Sequence, residues 1–416
     1  MSEEKTMKNT EQKIPALRFP EFSGEWEEKR LGEMGFFTSG TGFSEKEQGG
    51  VSGIPFYKVS DMNMPENIQI MQKANNYVSD KQIIDNRYKV IKKPSIIFAK
   101  VGAAIFLERK RVANNFLIDN NMMSFTPAGN IMFFFQLFQT IHLSKFAQVG
   151  ALPSYNASDV SSIRIIIPTS EDEQRQIADF LSAVDKRLHL LKDKKTKLEE
   201  YKRGVMQRIF SQELRFTRPD GSAYPDWGEK RLDEVLFEHK SRNLKLEVDE
   251  VFSVAKEKGV INQIEHLGRS YAADNISNYK IVYPFDLIYT KSPTSGFPFG
   301  IIKQNKTDRT GVVSTLYGVF RPNNKFIGYY LDAYFSSEIR TYNYLVPLVQ
   351  KGAKNTMNIN NKTFLNGAKI SLPSSEDEQR QIADFLSAID NKIALLTKQI
   401  ESTEQYKKGL LQQMFV

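Results

Sequence analysis

Ser170 to Ala183 reads SEDEQRQIADFLSA, and the same fourteen letters stand again at Ser375 to Ala388, 205 residues further on. Identity at one long offset marks a duplicated unit. The match continues downstream, where Tyr201, Lys202 and Gly204 are answered by Tyr406, Lys407 and Gly409, and Phe210 by Phe415. Upstream, Gly150, Ala151 and Asn156 have counterparts in Gly352, Ala353 and Asn358, and Phe125 and Pro127 in Phe320 and Pro322. Trp26 with Lys29, Arg30 and Leu31 is echoed by Trp227 with Lys230, Arg231 and Leu232. The chain is therefore two copies of a unit of about 200 residues. The copies agree best at their ends and hardly at all in the middle. One part of each unit does the same job twice, and the rest does two different jobs.

The repeated stretch opens a helix. Pro168 and Pro373 precede Ser170 and Ser375, and Glu173 and Glu378 stand three residues on, the pattern of a capping box. From there a seam steps in fours and threes through Ile177, Leu181, Val184, Leu188, Leu191, Lys195, Leu198, Lys202, Val205 and Ile209. The second copy reads Ile382, Leu386, Ile389, Ile393, Leu396, Ile400, Thr403, Lys407, Leu410 and Met414, so eight of ten positions are apolar in each. That predicts two coiled-coil helices of about 40 residues, roughly 60 Å long. An ordinary core helix is the alternative, but such helices average about a dozen residues. Parallel pairing would set Lys202 against Lys407. Antiparallel pairing puts Lys202 near Ile389 and Lys407 near Val184, where the stems pack and the ammonium groups reach solvent. The expected arrangement is an antiparallel pair with one variable domain at each end, about an approximate twofold axis.

The variable parts alternate strand-like runs, Ser95 to Phe98, Ile163 to Ile167, Leu287 to Tyr289 and Val312 to Phe320, with helical stripes. The stripes are Ile131, Phe134, Phe135, Phe138 and Phe326, Tyr330, Leu331, Tyr334, read as core and not as platforms for bases. The fold class is α+β: two α/β-type recognition domains separated by two long antiparallel coiled-coil helices in an internal repeat. The expected boundaries are a loose tail over 1–13, a domain over 14–168, a spacer helix over 169–211, a second domain over 212–373 and a second spacer helix over 374–416.

Composition removes whole classes of chemistry. With no cysteine and four histidines, His142, His189, His239 and His266, none spaced i, i+4, a metal site is not expected. MSEEKTMKNTEQK at 1–13 is no signal peptide, and Gln136, Gln139, His142 and Lys145 interrupt Ile131 to Phe146, so a cytoplasmic protein with no membrane contact is expected. No phosphate loop occurs; the SGTG of Ser39 to Gly42 reads as a turn. There is no Asn/Asp-Pro-Pro-aromatic run, and Asp226, Glu229 and Lys230 only approach nuclease spacing. The run KDKKTK, Lys192 to Lys197, reads as a solvated face. What remains is a net charge of +8 and two unlike heads on one repeated spacer. That suits duplex DNA, where phosphate contacts position a reader and groove contacts read sequence, with a rigid spacer setting the unread gap.

The duplicated P-x-S-E-D-E-Q-R-Q-I-A-D-F-L-S-A openings, closed by Tyr201-Lys202-Arg203-Gly204 and Tyr406-Lys407-Lys408-Gly409 and preceded by Leu17-Arg18-Phe19-Pro20, resemble the specificity subunit of type I restriction-modification enzymes. The resemblance implies two target recognition domains, each reading half of a split asymmetric DNA target, and no catalysis in this chain. It implies as partners double-stranded DNA, two DNA adenine methyltransferase subunits and restriction/translocase subunits. It implies no cofactor here, with S-adenosylmethionine, ATP and Mg belonging to those partners. A two-headed protein adaptor and an autonomous nuclease or methyltransferase are the alternatives.

Glu173, Gln174, Arg175 and Asp179 lie off the seam yet recur as Glu378, Gln379, Arg380 and Asp384, two identical patches fit for two copies of one partner. Homogenisation of the repeat without selection is the other explanation. For DNA, basic and polar loops are the candidates. In the first domain these are Lys100, Arg109, Lys110, Arg111, Asn114 and the loop Ser154, Tyr155, Asn156; in the second, Lys291, Lys303, Lys306, Arg309 and the loop Lys351, Lys354, Asn355.

Overall fold

The computed structural model describes residues 13–148, 152–351 and 357–416. The long helices are present as Glu171–Phe210 and Glu376–Met414, and no seam position on either is exposed. Packing divides the chain into two compact units, Met1–Lys194 with Leu396–Val416, and Lys195–Leu395. Each unit thus holds the first part of one long helix and the last part of the other.

Within each unit those helix pieces run antiparallel. In the first, Ile177 and Leu181 share a core with Leu410 and Met414, Lys407 Nζ lies 2.5 Å from Asp185, and Lys192 Nζ lies 2.6 Å from Glu404. In the second, Val205 and Ile209 share a core with Ile382 and Leu386, and Lys202 Nζ lies 2.5 Å from Asp390. The expected neighbours Val184 and Ile389 precede those aspartates by one residue. The lysines do not reach for water as expected, because a carboxylate on the facing helix is nearer.

The divergent middles carry the same sheet. In the first unit the order is Gly35–Ser39, Met122–Pro127, Ser95–Ala99, Lys110–Ala113; in the second it is Leu236–Glu238, Gly318–Pro322, Leu287–Tyr289, Ile302–Gln304, every pairing antiparallel. Ile96 faces Phe125 in one, as Leu287 faces Phe320 in the other, all fully buried. Each sheet is followed by a ten-residue helix, Ile131–Thr140 or Lys325–Tyr334, started by an asparagine whose Oδ1 accepts two backbone N–H groups. The aromatic stripes of these helices are core, with Phe134 edge-on to Phe125 at 5.8 Å. The expected run Val312 to Phe320 is two strands, Gly311–Val313 and Gly318–Pro322, because Tyr317 N–H donates back to Ser314 O at 3.1 Å and closes a turn. Beyond the shared sheet the units differ. Among the described residues, the first adds a three-stranded sheet of Tyr77–Val78, Ile54–Tyr57 and Leu117–Ile118; the second adds three hydrogen-bonded strand pairs.

Candidate functional site

The repeated helix starts were expected to be free docking patches, and half of each is not. Glu173 is 2% exposed and Glu378 0%. Glu173 accepts from Arg18 Nε at 2.7 Å, Arg18 Nη2 at 2.8 Å and Trp26 Nε1 at 3.2 Å. Glu378 accepts from Arg215 Nε at 3.1 Å and Nη2 at 3.0 Å. Ser170 Oγ accepts from Glu173 N–H at 3.3 Å, so the cap forms, while the glutamate turns to the arginine and does not complete the box. Gln174 and Gln379 donate to Pro168 O and Pro373 O at 2.9 and 2.8 Å, both buried. These four residues recur because each closes its own unit internally. Arg175, Asp179, Arg380 and Asp384 are exposed, with Arg175 paired to Asp172 at 3.0 Å and Arg380 to Asp377 at 3.3 Å.

The other side of this clamp is a short second repeat: Leu17-Arg18-Phe19 is answered by Leu214-Arg215-Phe216. Phe19 stands edge-on to Phe180 at 5.8 Å, and Phe216 meets Phe385 at 5.6 Å. Sequence reasoning missed that pairing, although the letters were there to find.

Among the residues expected to meet nucleic acid, five have partners within the protein, Lys110, Arg111 and Tyr155 buried or half-buried and Lys306 and Arg309 at the surface. Lys110, 3% exposed, donates to Glu108 Oε2 at 2.7 Å and to Ile141 O at 2.8 Å. Burial pushes its ammonium pKa down against the pull of Glu108. Arg111 donates to the carbonyls of Asn67, Lys110 and Met62. Tyr155 is buried and gives its hydroxyl to Ala99 O. Lys306 sits 2.5 Å from Asp332 and over the Tyr329 ring, and Arg309 forks onto Glu265 at 2.7 and 3.0 Å. In each case a neighbour supplies the partner that an exposed group would seek from outside. Asn156 caps the helix Ala157–Ser161; by that criterion its counterpart is Asn360, which caps Asn361–Leu365, and not Asn358.

Lys100, Arg109, Asn114, Ser154, Lys291 and Lys303 keep at least partial exposure. Ser154 is drawn beside the end of strand Ser95–Ala99 by bridges to Val101 and Gln148, and Tyr155 N–H donates to Lys100 O at 3.3 Å. Lys351 lies in the strand Gln350–Lys351; Lys354 and Asn355 lie outside the described residues, as do Gly150, Ala151, Gly352 and Ala353. The second unit also gathers cations that sequence reasoning left out. Burial and the charges of Arg242 and Lys240 hold the Lys280 ammonium below its usual pKa range, against the opposing pull of Glu238, and burial and Lys280 do the same to Lys291. Lys280 thus feels the charges of Lys240 and Arg242, and Lys291 that of Lys280, with Glu238 opposing at both lysines. Among the described residues no group of three His, Asp or Glu side chains is placed to hold a metal ion, and no helix is long and apolar enough to cross a membrane.

A family model described as the type I restriction modification DNA specificity domain matches residues 23–200 and again 226–405. A putative type I restriction enzyme MjaX specificity subunit from Methanocaldococcus jannaschii is 41% identical over 98 residues, a stretch that is 23% of this chain and 22% of the relative's length. In fold, the chain is similar to the S subunit of a type I restriction-modification system from M. genitalium, with a TM-score of 0.59, 13% identity and coverage of 97% and 99% of the two chains. It is also similar to a chain from a structure on complex assembly and conformational transition of the type I R-M system, with a TM-score of 0.50, 18% identity and coverage of 94% and 96%.

Proposed function

Because this chain belongs to the type I restriction-modification DNA specificity family, we propose that it is the non-catalytic subunit that tells a methyltransferase and a translocating nuclease where to act. Each unit reads one half of a split duplex target, and the long helices set the number of unread base pairs between the halves. S-adenosylmethionine, ATP and Mg serve the partner subunits. The observation that carries this reading is the repetition of one sheet order on two sets of divergent loops and added strands. That is what two readers of unlike sequences require, since a common scaffold presents different polar groups to different bases.

Exchanging residues 212 to 368 for the same block of a relative, and mapping methylated sites with the methyltransferase present, is expected to change only one half of the target. A chain that binds no DNA but still binds protein partners would make this molecule an adaptor and end the proposal.

Two methyltransferase subunits dock, in this reading, on surface that recurs in both units. With the buried glutamates and glutamines removed, the candidates are Arg175 and Asp179 in the first unit and Arg380 and Asp384 in the second. Three apolar pairs at equivalent positions support it: Phe36 and Phe237 are 56% and 51% exposed, Leu190 and Leu395 57% and 58%, Tyr201 and Tyr406 54% and 56%. Each unit carries one member of every pair. Leu190→Asp with Leu395→Asp is expected to weaken methyltransferase association at least tenfold in sedimentation or calorimetric titration, about 1.4 kcal/mol or more, without changing the protein's melting temperature.

The DNA side separates exposed from engaged cations. Arg109→Gln is expected to weaken duplex binding, measured by fluorescence anisotropy. Lys110→Met is expected to leave affinity unchanged and to cost about 1–3 kcal/mol of stability, because Glu108 and the Ile141 carbonyl lose their donor. Equal effects on affinity from both would overturn this sorting of surface from interior.

A further inference from the structure

Lys100 and Lys291 occupy one position in two otherwise divergent domains. Ile96 faces Phe125 and Phe98 faces Met123 in the first sheet; Leu287 faces Phe320 and Tyr289 faces Gly318 in the second. Counting four residues on from Ile96 and from Leu287 reaches Lys100 and Lys291, each just past the end of the strand that is third in its sheet. Both are half-buried, and among the described residues neither ammonium group has a hydrogen-bond or ion-pair partner. Most of the candidate cations nearby in sequence do have one, as Lys110, Arg111, Lys306 and Arg309 show.

The second lysine is held at some expense. Its φ is +58°, a left-handed conformation that a lysine rarely takes, and Gly300 fits against it only because it has no Cβ, which would stand 2.7 Å from the Lys291 backbone. Burial, and then the charge of Lys280, disfavour its protonated form, so an anion arriving from outside would relieve the site.

We infer that Lys100 and Lys291 are equivalent phosphate anchors, one in each unit, that grip the DNA backbone and read no base. The inference rests on the reading of the two units as DNA-reading heads. Heads that recognise different sequences share no pattern of base edges. What every duplex offers them in common is the phosphodiester chain. A cation retained at one sheet position while its surroundings diverged matches that common element, and base discrimination falls to groups that differ between the units, such as Arg109 and Asn114.

The test uses the full chain with two duplexes, one carrying the target mapped by methylation and one scrambled, titrated across a range of salt. Lys291→Gln is expected to weaken both duplexes by the same factor and to make the slope of log affinity against log salt shallower by about one; Lys100→Gln does the same, and the double variant lowers it by about two. Lys100→Arg restores the slope, and Lys100→Gln gives the answer in the unstrained copy if Lys291→Gln fails to fold. An unchanged slope, or an altered preference among target bases, overturns the anchor assignment while leaving DNA reading intact. A wild-type chain that binds neither duplex sinks DNA reading itself, and the anchors with it.

Discussion

Glu173→Ala is expected to lower the stability of the first unit by about 3–5 kcal/mol, the range for removing one partner of a buried ion pair. The carboxylate is almost inaccessible, and its loss strands three donors at once: two N–H groups of Arg18 and the indole N–H of Trp26. Glu378→Ala should cost the second unit less. Only Arg215 loses its acceptor there, that arginine is more exposed than Arg18, and the buried indole N–H of Trp227 has no partner to lose. The two tryptophans of the chain fall one to each unit, so urea unfolding followed by fluorescence in a Trp227→Phe background reports the first unit alone. A midpoint shift for Glu173→Ala no larger than that of an exposed control such as Glu171→Ala would mean that the clamp contributes nothing.

Lys407→Glu is the second large effect. The substitution replaces a cation 2.5 Å from Asp185 with a carboxylate, in a site where both original side chains are mostly buried. Asp185 also accepts from Gln136 Nε2 at 2.7 Å and Gln69 Nε2 at 3.1 Å, so it is fixed in place and cannot swing away. Two unit charges 4 Å apart repel by about 4 kcal/mol at an effective dielectric of 20. With some relaxation, a loss of about 3 kcal/mol from the first unit is the expected result. Lys202→Glu should act in the same direction but less strongly in the second unit, where both side chains are more exposed and Lys306 Nζ stands 3.9 Å from Asp390, which also accepts from the Tyr329 hydroxyl. Asp185→Asn in the Lys407→Glu background removes the repulsion and should recover most of the loss. No recovery in that double variant would show that the pair does not meet across the seam. Polar pairs of this kind define register at some cost in stability, and a slip by one heptad would replace each aspartate with a side chain that is no anion, Ala178 or Lys192 for Lys407 and Ala383 or Thr397 for Lys202.

The helix seam was readable because a period of threes and fours leaves no other use for its apolar residues. The aspartates that meet Lys202 and Lys407 escaped notice because they stand one place beyond the seam, where a count of apolar positions assigns them to solvent. The common sheet was hidden for a different reason. Its strands are three to six residues long and joined by loops of unequal length, so pairing depends on contacts between segments such as Ile96 and Phe125 that no local pattern announces. Charge was the least readable property. Arg309 beside Glu265 and Arg109 with no carboxylate partner look alike as letters, and only the fold decides which is available. Recurrence was a good signal that was given too narrow a cause, for Glu173 and Glu378 are kept by Arg18 and Arg215, and an identical surface is needed only for the exposed half of the motif.

The division of the chain also has a consequence for its biosynthesis. The second unit is one uninterrupted stretch, Lys195–Leu395, whereas the first needs Leu396–Val416, where Leu410, Met414 and Phe415 cover Ile177, Leu181 and Trp26. A ribosome therefore delivers the earlier-encoded unit incomplete and finishes it last, after the nested unit has emerged whole. Until the final helix turns arrive, the nascent chain displays an uncovered greasy seam, the kind of surface that chaperones hold and that nascent chains on neighbouring ribosomes stick to.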